Sequence, residues 1–192
     1  MATAPTSDYP AQFDVEYTEA RNRVTVLFRL ILAIPILILS SLVTAAVQNL
    51  SFGVSLMLLF RRRYPRVWFD WALYVNQFSY RVNAYMAFLV DEYPSTTDPQ
   101  RVRTDAQLDE ASLSRGMPLV KWFLAIPHYI VLALLFVAVA VVLLLAWFII
   151  LITGRFPRGM FNFVVGTMRW TWRVNAYALL LSTDRYPPFS LK

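Results

Sequence analysis

The stretch Arg63-Tyr64-Pro65-Arg66, followed by Arg81-Val82-Asn83-Ala84-Tyr85, decides how this chain is read, because the same construction returns 92 residues later as Arg155-Phe156-Pro157-Arg158 and Arg173-Val174-Asn175-Ala176-Tyr177. Each copy is a basic turn leading into an aromatic, arginine-striped helix. The same offset carries Ala33-Ile34-Pro35 onto Ala125-Ile126-Pro127, Arg23 onto Arg115 and Arg29 onto Lys121 without a gap. The chain is therefore a duplication, and its copies are expected to run in parallel register. Working outward gives a tail over 1–10, a first repeat over 11–94, a linker over 95–110 and a second repeat over 111–192.

Between the anchors lie long apolar runs. Val24 to Phe60 carries one formal charge, Arg29, and Leu119 to Thr153 carries one, Lys121. Both exceed the roughly 20 apolar residues that cross a bilayer core. With 58% hydrophobic and 16% charged residues, the 192-residue chain reads as an all-α membrane protein. It has no cysteine and one histidine, His128, so disulfides, thiolate chemistry and histidine metal clusters are excluded and no cofactor is expected. Met1 to Asp14 lacks the pattern of a signal peptide, and the first span is expected to act as its own insertion signal.

The net charge of +6 is distributed in a way that points to a membrane surface and not to nucleic acid. Arg61, Arg62, Arg63, Arg66, Arg155 and Arg158 crowd the two turns. The acids Asp8, Asp14, Glu16 and Glu19 precede the first span, and Asp91, Glu92, Asp98, Asp105, Asp109 and Glu110 follow the first repeat. By the positive-inside rule the turns are cytoplasmic, and the termini and linker extracytoplasmic, in a multi-pass protein of the inner (plasma) membrane.

Alternation of Ala11, Phe13, Val15 and Tyr17 with Gln12, Asp14 and Glu16 predicts a short strand, and Val102 to Leu108 repeats the pattern, so the two could pair. The first long helix is expected to start near Arg21 and to kink at Pro35, where a backbone hydrogen bond is lost. From Ile36 to Phe60 it would be about 37 Å long. Gln48-Asn49-Leu50-Ser51 alone suggests a turn, but the second copy has Ala140-Val141-Val142-Leu143 there, which favours one continuous helix.

After the second turn Arg158, Asn162, Gly166, Arg169 and Arg173 form one stripe of a helix; after the first, Arg66, Asp70, Tyr74, Gln77 and Arg81 do so. Such a helix either lies in the interface or spans with its stripe turned toward other helices. If both turns are cytoplasmic, parity requires an even number of crossings between them, so four spans are expected, with a re-entrant pair in each copy as the alternative. The cost of arginine near the bilayer centre is the argument against the four-span form.

The run Leu119-Val120-Lys121-Trp122-Phe123-Leu124-Ala125-Ile126-Pro127-His128-Tyr129, with Gly154-Arg155-Phe156-Pro157-Arg158-Gly159, Arg169-Trp170, Arg173-Val174-Asn175-Ala176-Tyr177 and Thr183-Asp184-Arg185-Tyr186-Pro187-Pro188-Phe189, resembles the domain of unknown function 4389 family of bacterial, largely actinobacterial, integral membrane proteins. The first copy departs from it: Lys121-Trp122 becomes Arg29-Leu30, His128 becomes Ile36, and Tyr-Pro-Pro-Phe becomes Tyr93-Pro94-Ser95-Thr96. The resemblance implies duplicated membrane domains and no particular activity.

The arginines are the candidate binding residues. Arg61, Arg62, Arg63, Arg66, Arg155 and Arg158 could hold anionic headgroups, or only set orientation. Arg81, Arg169 and Arg173 could build a site between the repeats, with Arg81 and Arg173 as a pseudo-symmetric pair, or tie helix ends together. Asp70 reads as a partner of Arg66 one turn away and not as a proton relay. His128 with Ser114 and Asp109 lacks the setting of a nucleophile. The favoured reading is a non-enzymatic accessory, scaffolding or assembly subunit that binds anionic lipid and other membrane subunits or its own copies. A small oligomeric transporter or channel is the rival, and a lipid-acting enzyme comes third.

Overall fold

A computed structural model of the protein describes residues 9–61, 63–110 and 113–192. Most of the expected tail, and Arg62, lie outside the described residues. The chain is mostly helical. Strand β1 (Ala11–Val15) leads to α1 (Arg23–Arg61) and α2 (Arg66–Met86); β2 (Val102–Ala106) leads to α3 (Met117–Leu124), α4 (Ile126–Thr153) and α5 (Arg158–Ala178). The second strand thus falls in the stretch read as linker.

Helix α1 is 39 residues long, about 58 Å. It passes through Pro35 and through Gln48 to Ser51 without a break. The polar groups of that stretch are satisfied within the helix: Asn49 donates to Ala45 O and Ser51 to Val47 O. Its counterpart divides at Ala125, two residues before Pro127, where the backbone N–H of Ala125 donates to Lys121 O. The helix-breaking effect of proline is therefore expressed in the second copy. Helix α4 ends at Gly154, whose φ of 73° is the left-handed cap that glycine adopts without steric cost.

The two strands pair antiparallel, with Phe13 opposite Thr104. Alternation puts Ala11, Phe13 and Val15 on the buried face, opposite Val102, Thr104 and Ala106. Each strand rests on a helix of the other repeat. The guanidinium of Arg169 on α5 donates to Phe13 O, and Gln77 on α2 donates to Thr104 O. Tyr80 of α2 and Trp172 of α5 meet edge to face beneath the ribbon, their rings 5.1 Å apart. Helices α2 and α5 in turn pack on α1 and α4. The layers are ribbon, then α2 and α5, then α1 and α4, and the repeats are interlocked by exchanged strands.

The repeats run antiparallel, not in parallel register. Ala20, just before α1, bridges to Arg155 in the second turn, Phe156 N donates to Glu19 O, and Tyr17 OH donates to Phe156 O. At the far end Tyr64 OH in the first turn donates to Leu180 O, and Arg66 pairs with Glu110 at 2.9 Å. The two basic turns therefore sit at opposite ends of the helical layers, each against the open end of the other repeat. This corrects the orientation read from charge: Ala20 and Arg155, or Glu110 and Arg66, cannot be in contact across a bilayer. Four spans with the turns on one side and the termini and linker on the other do not fit the chain. Among the described residues two segments, Arg23–Arg61 and Met117–Thr153, are long and apolar enough to cross a membrane.

Candidate functional site

The single charge within each apolar run, Val24 to Phe60 and Leu119 to Thr153, marks a site that is built twice. In the first repeat Arg29 is 1% exposed, and its guanidinium donates to Tyr85 O at 2.7 Å, Val90 O at 2.9 Å and the Asp91 carboxylate at 2.6 Å, lying 4.3 Å over the Tyr85 ring. In the second, Lys121 is 0% exposed, donates to Thr183 O at 2.7 Å, forms an ion pair with the Asp184 carboxylate at 2.8 Å, and lies 5.1 Å over Tyr177. The other oxygen of each carboxylate accepts the backbone N–H of the residue leading into the long helix, Asn22 or Ser114. A charge at this depth is tolerated because an opposite charge and carbonyls surround it.

The local fold that makes the site is the chain reversal after α2 and α5. Phe88 and Leu181 have φ of 60° and 55°, and the residue after each donates back to Ala84 O or Ala176 O. This left-handed step turns the following carbonyls and Asp91 or Asp184 onto the cation. Sequence reasoning missed both aspartates. The signal was the pair Asp91-Glu92-Tyr93-Pro94 and Asp184-Arg185-Tyr186-Pro187, which align only when one residue is inserted in the second copy after Tyr177.

The expected site residues divide into two groups. Arg81 donates to Ser95 O at 2.6 Å. Arg173, 2% exposed, donates to Ser190 O at 3.0 Å and to Lys192 O. Each secures the closing segment of its own repeat, so the two form no shared site. Gly166 allows that segment to approach α5: a Cβ there would stand 2.8 Å from Leu191 O. Arg169 joins Phe13 O, Leu191 O and Asp14, the last at 2.9 Å. These three are ties within the fold.

The turn arginines are at the surface. Arg61 and Arg63 are exposed; Arg66 pairs with Glu110 and not with Asp70; Arg155 lies 3.4 Å from Glu19; Arg158 lies 5.2 Å over the Tyr17 ring. Such exposed pairs contribute at most about 1 kcal/mol. Tyr64 in the first turn is deep, as is Tyr9 at the closing segment of the second repeat. Burial pushes the hydroxyl of each far above its usual range, so both remain donors, to Leu180 O and Arg185 O.

His128 is buried, stacked on Phe189 with ring centroids 4.0 Å apart, and its Nδ1 accepts from the Trp170 indole at 3.1 Å. Ser114 and Asp109 are placed elsewhere: the backbone of Ser114 serves Asp184, and that of Asp109 donates to Ser182 O. Among the described residues neither Ser114 nor Asp109 is brought to the imidazole. Among the described residues no cluster of histidines and carboxylates could hold a metal ion.

No curated protein and no solved structure matches the chain. A family model described as Domain of unknown function (DUF4389) matches residues 23–97 and again 117–190. Those two segments carry one cation, aspartate and reversed-turn unit each, and with both halves matched the chain belongs to the DUF4389 family.

Proposed function

We propose that the protein is a non-enzymatic accessory or scaffolding protein embedded along one face of the inner membrane, with α1 and α4 as its lipid-facing layer and the exposed turn arginines on anionic headgroups. The observation that carries this reading is the order of the layers. The outer layer exposes Leu30, Ile31, Ile38 and Leu42 of α1 and Ile130, Leu134, Val137 and Leu144 of α4, each more than half exposed. The ribbon two layers away presents Gln12, Glu16, Arg103 and Asp105. Ribbon and helices lie side by side, so helices crossing the bilayer would carry those polar groups and two open strand edges into hydrocarbon. Helices lying in the interface plane keep the ribbon in water and leave both basic turns at headgroup level, where each arginine is worth about 1 kcal/mol.

The transporter reading needs Arg81, Arg169, Arg173 and Asp70 around an aqueous path. The three arginines hold backbone carbonyls instead, which favours the scaffold. His128 is buried and its Nδ1 is taken by the Trp170 indole, which supports the scaffold over a lipid-acting enzyme.

The chain has no cysteine, so single-cysteine variants report cleanly on its placement. Arg63→Cys, Asp98→Cys and Arg155→Cys are expected to label with an impermeant maleimide from one side of the membrane only, the cytoplasmic side. Labelling of position 63 from one side and position 98 or 155 from the other would overturn the proposal.

A further inference from the structure

The two repeats share one plan, apart from the division at Ala125 and the residue inserted after Tyr177, and they differ in the packing beside the cation. In the second, the indole of Trp122 donates to Ala178 O at 2.8 Å and fills the angle between α3 and the end of α5. The equivalent residues of the first repeat are Leu30 and Met86. Leu30 is 71% exposed, and Met86 and Phe88 line the space without closing it. What remains is a groove of about 460 Å³ between α1, the end of α2 and α4, lined by Leu27, Leu30, Met86, Leu143 and Trp147 with Arg29 among its walls. Its size lies within the range of about 300 to 1,000 Å³ common to small-molecule sites.

From this geometry we infer that the groove takes one acyl chain of a membrane glycerolipid. This rests on the membrane reading above. Two observations carry it. The walls are almost wholly apolar and belong to the exposed layer formed by Leu27, Leu30 and Leu144, so the groove opens to the phase that layer contacts, and that phase is acyl chain. The second repeat closes the same place with an apolar side chain whose one polar atom meets a carbonyl, which shows the kind of group the place accepts.

The test copies the second repeat into the first. The full chain, produced in membranes and purified in mild detergent, is examined by native mass spectrometry and lipid extraction, alongside flotation with phosphatidylglycerol and phosphatidylcholine vesicles. Wild type is expected to retain one glycerolipid per chain. Leu30→Trp should lose at least ten-fold of it while keeping its helical circular dichroism and its flotation. Leu144→Trp fills the groove from the opposite wall and reads the same quantity should Leu30→Trp fold poorly. Leu124→Trp, on the exposed face of α3, should retain lipid as wild type does. A wild type without bound lipid, or both groove variants retaining it in full, overturns the inference even if every protein floats. Loss of flotation by wild type with lipid still bound would sink the membrane placement and leave the groove standing.

Discussion

Arg29 and Lys121 hold equivalent positions in antiparallel copies of one unit, and the difference between them shows how a duplicated fold acquires one closed half and one open half. The lysine is a compact point charge held by Thr183 O and Asp184 under the Tyr177 ring, with Trp122 bonded to Ala178 O beside it. The arginine is a planar fork that reaches two carbonyls and a carboxylate and still has a donor left over. Its carboxylate partner is 31% exposed against 13% for Asp184. In the first repeat the closing segment ends in Ser95 and Thr96 where the second has Pro188 and Phe189. The first site is thus wetter on one side and open to the apolar layer on the other.

The sharpest way to break the comparison is to remove each cation. Either substitution leaves a partly exposed carboxylate without its partner, so the cost is expected at or below the lower end of the roughly 3–5 kcal/mol of a buried pair. Arg29→Ala should cost more than Lys121→Ala, because it also strands the carbonyls of Tyr85 and Val90. Thermal unfolding in detergent measures both. Equal losses would mean that the extra guanidinium bonds contribute nothing. The exchange variants refine the point: Lys121→Arg must fit a larger group into a buried site, whereas Arg29→Lys gives up one or two charge-assisted bonds of about 1.5–3 kcal/mol each.

Next in size is the pair of ties behind the reversed turns. Arg173→Gln removes bonds to Ser190 O and Lys192 O from a side chain that is almost fully buried, and should cost about 2–3 kcal/mol. Arg81→Gln loses a single bond to Ser95 O from a half-buried position, and about 1 kcal/mol is expected. Limited proteolysis of the carboxyl-terminal segment should accelerate in the first variant well before global unfolding does.

Trp122→Leu turns the second repeat toward the first. It deletes the indole bond to Ala178 O and opens space beside Lys121, at a cost of about 1–3 kcal/mol. If the open groove is a property of the small residue at this position, the variant should retain two glycerolipids per chain instead of one. Retention of one, with the expected loss of stability, would assign the groove to the α4 wall, which the second repeat lacks: Gln48 and Ser51 stand where the first repeat meets Ala140 and Leu143.

These differences bear on what a sequence can disclose. The duplication, the paired strands and the unbroken run through Gln48 and Ser51 were all legible, because each is a local pattern confirmed by its copy. The family resemblance was legible for the same reason. The relative direction of the copies was not. Charge placement assigns loops to sides only when helices cross, and nothing local to Arg63 or Arg155 states that α1 and α4 lie antiparallel or that the strands are exchanged. The aspartates escaped because the insertion after Tyr177 shifts Asp184 out of the offset that aligned every cation. Arg81 and Arg173 looked like binding residues since an arginine among aromatics reads the same whether its acceptor is a phosphate or a carbonyl of its own chain.

The smallest effects on the fold belong to the turn arginines, and there the comparison concerns lipid and not stability. Replacing Arg61 and Arg63 in one turn, or Arg155 and Arg158 in the other, by glutamine should change stability by less than about 1 kcal/mol, since exposed charges contribute little. Each arginine within reach of an anionic surface contributes about 1 kcal/mol, so each double variant should bind phosphatidylglycerol vesicles about 30-fold more weakly at low salt, with the difference shrinking as ionic strength rises. Because the turns lie at opposite ends of the antiparallel layers, an in-plane molecule touches headgroups with both, and the two double variants should lose alike. A loss confined to one turn would mean that the molecule stands with one end in the interface, and the equivalence of the two ends would then be broken by the membrane and not by the sequence.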